Sequence, residues 1–120
     1  MTDKEYNTQI KRLKKVLVKW SKLLGLDRTD IVAHFERERD DEDKFMAAIV
    51  TDSSWQYRRA VIHYFMPIIA ACDDEELEVI VIHEYMHVIV AQMRGSDRDE
   101  DEEYVVTTLA NAFRYVHVNK

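Results

Sequence analysis

Apolar positions recur along this chain in two rhythms, and the rhythm changes divide it into elements. Over residues 4–24, Ile10, Leu13, Leu17, Trp20 and Leu24 return at spacings of three and four, the period of an amphipathic helix. Lys11, Lys14, Lys15, Lys19 and Lys22 fill much of the remaining surface, and Gly25 is a natural stop. Such a basic face suits a membrane surface or a phosphate, but a solvated face on a helix that covers a sheet is the commoner case and the one favoured here.

Three short strand-like segments follow: Ile31–Phe35, Phe45–Thr51 and Trp55–Met66. The charged run Glu36–Lys44 separates the first two, and Asp52-Ser53-Ser54 reads as turn chemistry before the third. Val61, Tyr64 and Phe65 favour a strand and Pro67 ends it. Sequential strands with short connections predict an antiparallel meander.

From Asp73 to about Arg94 the chain is apolar on nearly every side. Val79-Ile80-Val81-Ile82 would tolerate a buried strand. However, Asp73 or Asp74 can cap a helix, Glu75 and Glu76 suit its positive end, and Gly95 can close it. The helix is therefore expected, buried between the sheet and a further helix. After the acidic stretch Ser96–Glu102, with Ser96 or Asp97 as cap, a last helix runs to about Val118. Its apolar face is Val105, Val106, Leu109, Ala110, Phe113 and Val116. A short connection makes the two helices an antiparallel pair.

The expected fold is therefore α+β: an N-terminal helix, a three-stranded mainly antiparallel sheet, a long buried helix and an antiparallel C-terminal helix, as one domain over residues 1–120. Composition agrees with a globular chain, at 47% hydrophobic and 33% charged residues. A single cysteine, Cys72, leaves no internal disulfide and fits a reducing compartment. The charged N-terminus has no apolar core of a signal peptide, and no apolar run reaches the ~18 residues of a membrane span. A cytoplasmic protein is expected, without a membrane partner. The net charge of −6 argues against nucleic acid.

The long helix carries His83-Glu84-Tyr85-Met86-His87, an HExxH spacing. In a strand the two imidazoles would lie ~13 Å apart. In a helix they lie one turn apart, ~6 Å, on one face, where both can bind one Zn2+. Glu84, offset around the helix, could take a proton from metal-bound water and pass it to a leaving amine. The competing reading is two core histidines bonded to backbone or carboxylates. A zinc site also needs a third ligand. The first turn of the last helix offers Glu102, near the middle of its apolar face, and Glu103, near the edge, and helical phase does not decide between them.

VIHEYMH followed by DEEYVVTTLANAF resembles the zincin metallopeptidases of the gluzincin type, and most closely their minimal members, the ImmA/IrrE-like and phage-encoded domains. The resemblance follows the order of elements along nearly the whole chain, with about twenty residues carrying its specificity. It implies Zn2+ held by His83, His87 and a Glu that opens the last helix, with Glu84 as general base and acid in peptide-bond hydrolysis. Placing that Glu at Glu103 sets Val106, Leu109, Ala110 and Phe113 on the family's apolar positions, so the resemblance tips the choice to Glu103. It also implies a peptide or protein substrate laid along an edge strand, either Val61–Met66 or Phe45–Thr51. No motif marks the oxyanion donor such catalysis uses. His63, Tyr64, His34 and Tyr115 are the candidates, with a core or surface role favoured for His63. The alternatives are a zinc-binding regulatory or interaction domain of the same fold with little or no turnover, and a regulator that recognises another protein. A monomer or weak dimer is expected.

Overall fold

The first helix, α1 (Asp3–Leu23), begins where Thr2 accepts a hydrogen bond from the Glu5 amide at 3.1 Å, and Asp3 and Glu5 sit at its positive end. It stops at Gly25, whose φ of +71° is a left-handed conformation that favours glycine. The predicted apolar stripe faces inward. Leu13 and Trp20 are buried, and Ile10, Leu17 and Leu24 pack around them. The structure is a computed structural model that describes residues 1–26, 29–38, 47–54, 59–94 and 100–118; side chains at 52–54, 91–94, 100–105, 117 and 118 lie outside the description.

The strands are β1 (Asp30–Glu36), β2 (Ala48–Ser54) and β3 (Arg59–Phe65). They lie in the order β1-β3-β2, with β3 parallel to β1 and antiparallel to β2. The sheet is thus mixed, and the expected mainly antiparallel meander is corrected. The reason lies in the connection over residues 37–47, which is longer than a hairpin needs. That length leaves room for β3 to lie between β1 and β2. Asp52, Ser53 and Ser54 are not the turn they resemble. They continue β2 past a bulge between Val50 and Asp52 and pair with Val61, Ala60 and Arg59. Residues 55–58, between β2 and β3, lie outside the described residues.

On β3, Ala60, Ile62 and Tyr64 are buried and join Ala48 and Val50 of β2 in the core. Pro67 ends β3 by opening a short helix, α2 (Met66–Ala71), which the sequence pattern had not separated from the strand. Next comes α3 (Asp74–Arg94), a helix and not the rival strand. Asp73 caps it by accepting from the Glu76 amide at 2.7 Å. Its β-branched residues are tolerated because burial outweighs propensity. Leu77, Val81, Ile82 and Val88 are fully buried, between contacts with β2, α1 and α4. The proposed caps Gly95, Ser96 and Asp97 lie outside the described residues.

The last helix, α4 (Glu100–Val118), runs antiparallel to α3, as expected. Arg114 near its end meets Glu75 in the first turn of α3 at 3.1 Å. Only part of its predicted apolar face is covered. Val106 and Ala110 are buried against α3, whereas Leu109, Phe113 and Val116 are exposed. A single helix–helix seam is narrower than the stripe those residues form.

Candidate functional site

The chemistry that singles out α3 is held in a largely apolar setting. Glu84 is 8% exposed and His87 4%, while His83 is half-buried. Helical spacing brings the two imidazoles together with ring centroids 4.8 Å apart and nearly edge-to-face, and their Nε2 atoms lie 3.1 Å apart. One Nε2–H donates to the other Nε2, so in a neutral pair the two rings hold different tautomers. This is what a helix does to any two histidines four residues apart whose rings turn toward one another.

Above this turn lie two buried phenols. Burial pushes the Tyr64 hydroxyl well above the ordinary tyrosine pKa, and Tyr85 and the Glu84 carboxylate push it further. Burial raises Tyr85 to about 12. Both phenols stay protonated at neutral pH. Tyr85 donates weakly to the Leu17 carbonyl at 3.4 Å, and the Tyr64 hydroxyl has no partner among the described residues.

Two polar hubs fasten the helices around the site. Glu78 lies one turn before Ile82. It accepts from Lys19 at 2.6 Å and from the Trp20 indole at 3.4 Å, and it faces Arg114 at 3.6 Å, so it joins α1, α3 and α4. Burial works to raise its pKa, but the Lys19 hydrogen bond and charge, with Trp20 and Arg114, outweigh it and leave the carboxyl below its ordinary value. Arg12 donates to Asp74 at 3.0 Å, to the Ile69 carbonyl at 3.3 Å and to the Cys72 carbonyl at 2.8 Å, which pins the link between α2 and α3. Neither residue was singled out from sequence. In the sequence Lys19 belongs to a solvated face, and only the packing of α1 on α3 reveals its partner.

The oxyanion candidates are dispersed. His34 and His63 are cross-strand partners on β1 and β3, stacked at 4.9 Å. His63 donates from Nδ1 to Glu36 at 2.9 Å and accepts at Nε2 from Thr51 at 3.1 Å. These residues alternate with the buried Ile62 and Tyr64 and therefore belong to the other sheet face. Tyr64 is in the core, and Tyr115 is exposed on α4.

Among the described residues, no group of three or more His, Cys, Asp or Glu is placed to hold a metal ion. His83 and His87 supply two donors, and two imidazoles are an incomplete zinc shell. The expected third ligand, Glu103, has its side chain outside the described residues. The expected Zn2+ centre is therefore not upheld. With it go the resemblance to a minimal gluzincin or phage-type metallopeptidase, the zinc hydrolase activity with Glu84 as general base, and the alternative of a zinc-binding regulatory domain. No family model, curated protein or solved structure matches the chain. No helix among the described residues is long and apolar enough to cross a membrane. The expectation that Val61–Met66 could receive a peptide is also corrected, because that strand is central and paired on both sides.

Proposed function

We propose that this chain recognises an extended segment of a partner protein, which adds to the sheet beside β2 and passes over α3 at His83, Glu84 and His87. The observation that carries this reading is the place of β2. It is an edge strand whose described pairing is with β3 alone, and α3 packs against it. An exposed edge offers main-chain donors and acceptors to an incoming strand. The opposite edge is less available. The Tyr6 hydroxyl already donates to the Phe35 carbonyl of β1 at 2.6 Å, and Arg37, just beyond β1, is held by Asp3 at 2.7 Å.

In this reading the half-buried His83 imidazole meets the segment first, with the buried His87 and Glu84 behind it. The net charge of −6 favours a neutral or basic segment. The reading carries no hydrolytic step.

The test begins with peptides selected from a random library on the purified full chain. Backbone N-methylation at alternate residues of the best binder removes binding, because the ladder bonds are main-chain bonds. Hydrogen exchange slows at residues 48–51 when the unmodified peptide is bound. Slowing confined to β1 or α4, or tolerance of N-methylation at every position, would overturn the reading.

A further inference from the structure

Among the described residues α4 packs chiefly on α3, and the side it turns away from that seam is unlike the rest of the surface. The chain is 33% charged and carries a net charge of −6. Yet between Thr107 and Val116 every exposed position is uncharged. The one charged residue of that stretch, Arg114, turns inward to α3, where it meets Glu75 at 3.1 Å and Glu78 at 3.6 Å. Exposed large apolar side chains gather on the same stretch: Leu109, Phe113, Tyr115 and Val116. Val18 of α1 is as exposed, but it stands beside Lys15, Lys19 and Lys22, as a scattered surface apolar residue normally does. A contiguous apolar patch depleted of charge is the composition of an interface core.

Helical phase gives the patch a particular shape. Leu109, Ala112 and Val116 follow at spacings of three and four and form one seam, with Phe113 alongside. A two-fold axis crossing α4 between Ala112 and Phe113 sets Leu109 opposite Val116 of a second copy. It also sets Phe113 over the small Ala112 of that copy. The patch is thus complementary to itself in the antiparallel sense, large side chain against small.

We propose that this face of α4 pairs with the same face of a second copy, antiparallel, in a weak two-fold dimer. Charge selects the second copy as occupant. Two chains that each carry −6 repel over most of their surface and can approach where neither presents a charge. A basic partner would be drawn to the carboxylates instead, and an anionic membrane surface calls for Lys or Arg facing outward, which this stretch lacks. Size sets the strength. Nine residue steps of 1.5 Å make a patch ~14 Å long and one helix wide, well short of the ~800 Å2 per partner of a standard interface. The dimer is therefore transient, with a dissociation constant between about 10 µM and about 1 mM. The face shares no residue with the β2 edge, so either proposal can fail without the other.

Sedimentation equilibrium of the full chain across that concentration range tests the pairing. The weight-average mass should rise from one chain toward two. Phe113→Glu should raise the dissociation constant at least about tenfold, and Val116→Glu, at a position 59% exposed, should do the same if Phe113→Glu does not fold. Val18→Glu adds the same charge at a position 53% exposed on α1 and should dimerise like the wild type. Leu109→Lys and Val116→Glu should each be monomeric alone, and an equimolar mixture should recover the dimer, because antiparallel pairing brings the two substituted positions together. A mass that stays at one chain throughout overturns the proposal, and co-sedimentation with phospholipid vesicles in that case would assign the face to a lipid surface. A dimer that survives Val116→Glu, or that Val18→Glu weakens equally, overturns it too. Failure of the mixture to recover the dimer overturns the antiparallel pairing.

Discussion

Removing a hydroxyl from the centre of this protein should make it more stable. In Tyr64→Phe the ring that fills the core between β3 and α3 is kept, and the oxygen lost has no partner among the described residues. Burying an unpaired hydroxyl costs about 1–3 kcal/mol. Its removal leaves a void the size of one oxygen, about 15 Å3, which at ~24 cal/mol per Å3 costs about 0.4 kcal/mol. The net gain is about 1–2 kcal/mol, read as a higher urea midpoint at pH 7 with an unchanged slope. A lower midpoint would mean that the hydroxyl is hydrogen-bonded in solution, and the account of the core around it would fail.

The same variant has a second signature at alkaline pH. Tyr64 and Tyr85 both release their protons at higher pH in the folded chain than at the ordinary tyrosine value of 10.0, Tyr85 at about 12. Above pH 10 the unfolded chain therefore holds fewer protons than the native one, and stability falls as pH rises. Each such tyrosine contributes a slope of about 1.4 kcal/mol per pH unit until its folded value is passed. Tyr85 alone accounts for a loss of about 2.7 kcal/mol between pH 10 and 12. Urea unfolding at pH 8, 10 and 11 should show the wild type losing stability more steeply than Tyr64→Phe, by about one proton. Parallel slopes would refute the burial of Tyr64.

Three further outcomes follow from the packing. Trp20→Ala, which empties the largest side chain of α1 from the core, should cost about 3–5 kcal/mol, whereas Val18→Ala on the same helix, at a position 53% exposed, should stay within about 0.5 kcal/mol in urea unfolding. Glu78→Gln should lose about 1–3 kcal/mol at pH 7. Because the Glu78 carboxyl lies below its ordinary value of 4.5 in the folded chain, its stabilisation is present above that pH and lost below it, so the variant should show the shallower acid limb. Finally, a chelator or added Zn2+ should leave the thermal midpoint where it is. A zinc-dependent rise, which at a hundredfold excess over Kd would amount to ~2.7 kcal/mol, would restore the metal reading and direct attention to Glu103.

Elements whose cause is local were legible along the chain. The α1 stripe from Ile10 to Leu24, the Gly25 stop, the Asp73 cap and the antiparallel pairing of the last two helices each rest on neighbours within a turn or two. Elements whose cause is a choice among distant partners were not. Ser53 and Ser54 favour turns, yet Ala60 and Arg59 pair with them across the sheet. The strand order needed the length of residues 37–47 to be weighed as room for β3 to lie between β1 and β2. On α4, the pattern correctly marked Leu109 and Phe113 as apolar, but periodicity has no means of saying how many neighbours a helix has. Among the described residues α4 packs chiefly on α3, so Val106 and Ala110 fill the seam and the other two face outward. Tyr64 shows the same limit within the site. Alternation with Ala60 and Ile62 places it in the core, while the missing partner for its hydroxyl is a property of the three elements that meet there.

The HExxH spacing illustrates how little a motif specifies without its surroundings. Helical rise alone sets His83 and His87 one turn apart, and the rings meet at 3.1 Å between Nε2 atoms. The spacing thus encodes adjacency of two imidazoles, and every step beyond adjacency depends on other elements. A zinc centre would need a carboxylate delivered by α4. Recognition of a peptide needs only that α3 pack against an edge strand, and β2 is at the edge because β3 lies between it and β1, an order that the length of residues 37–47 permits. The connection that made the sheet hard to read is therefore the feature on which the proposed function rests. Rebuilding it is the decisive perturbation. If a connection shortened enough to force β2 beside β1 still gives a folded chain, the selected peptides should no longer protect residues 48–51.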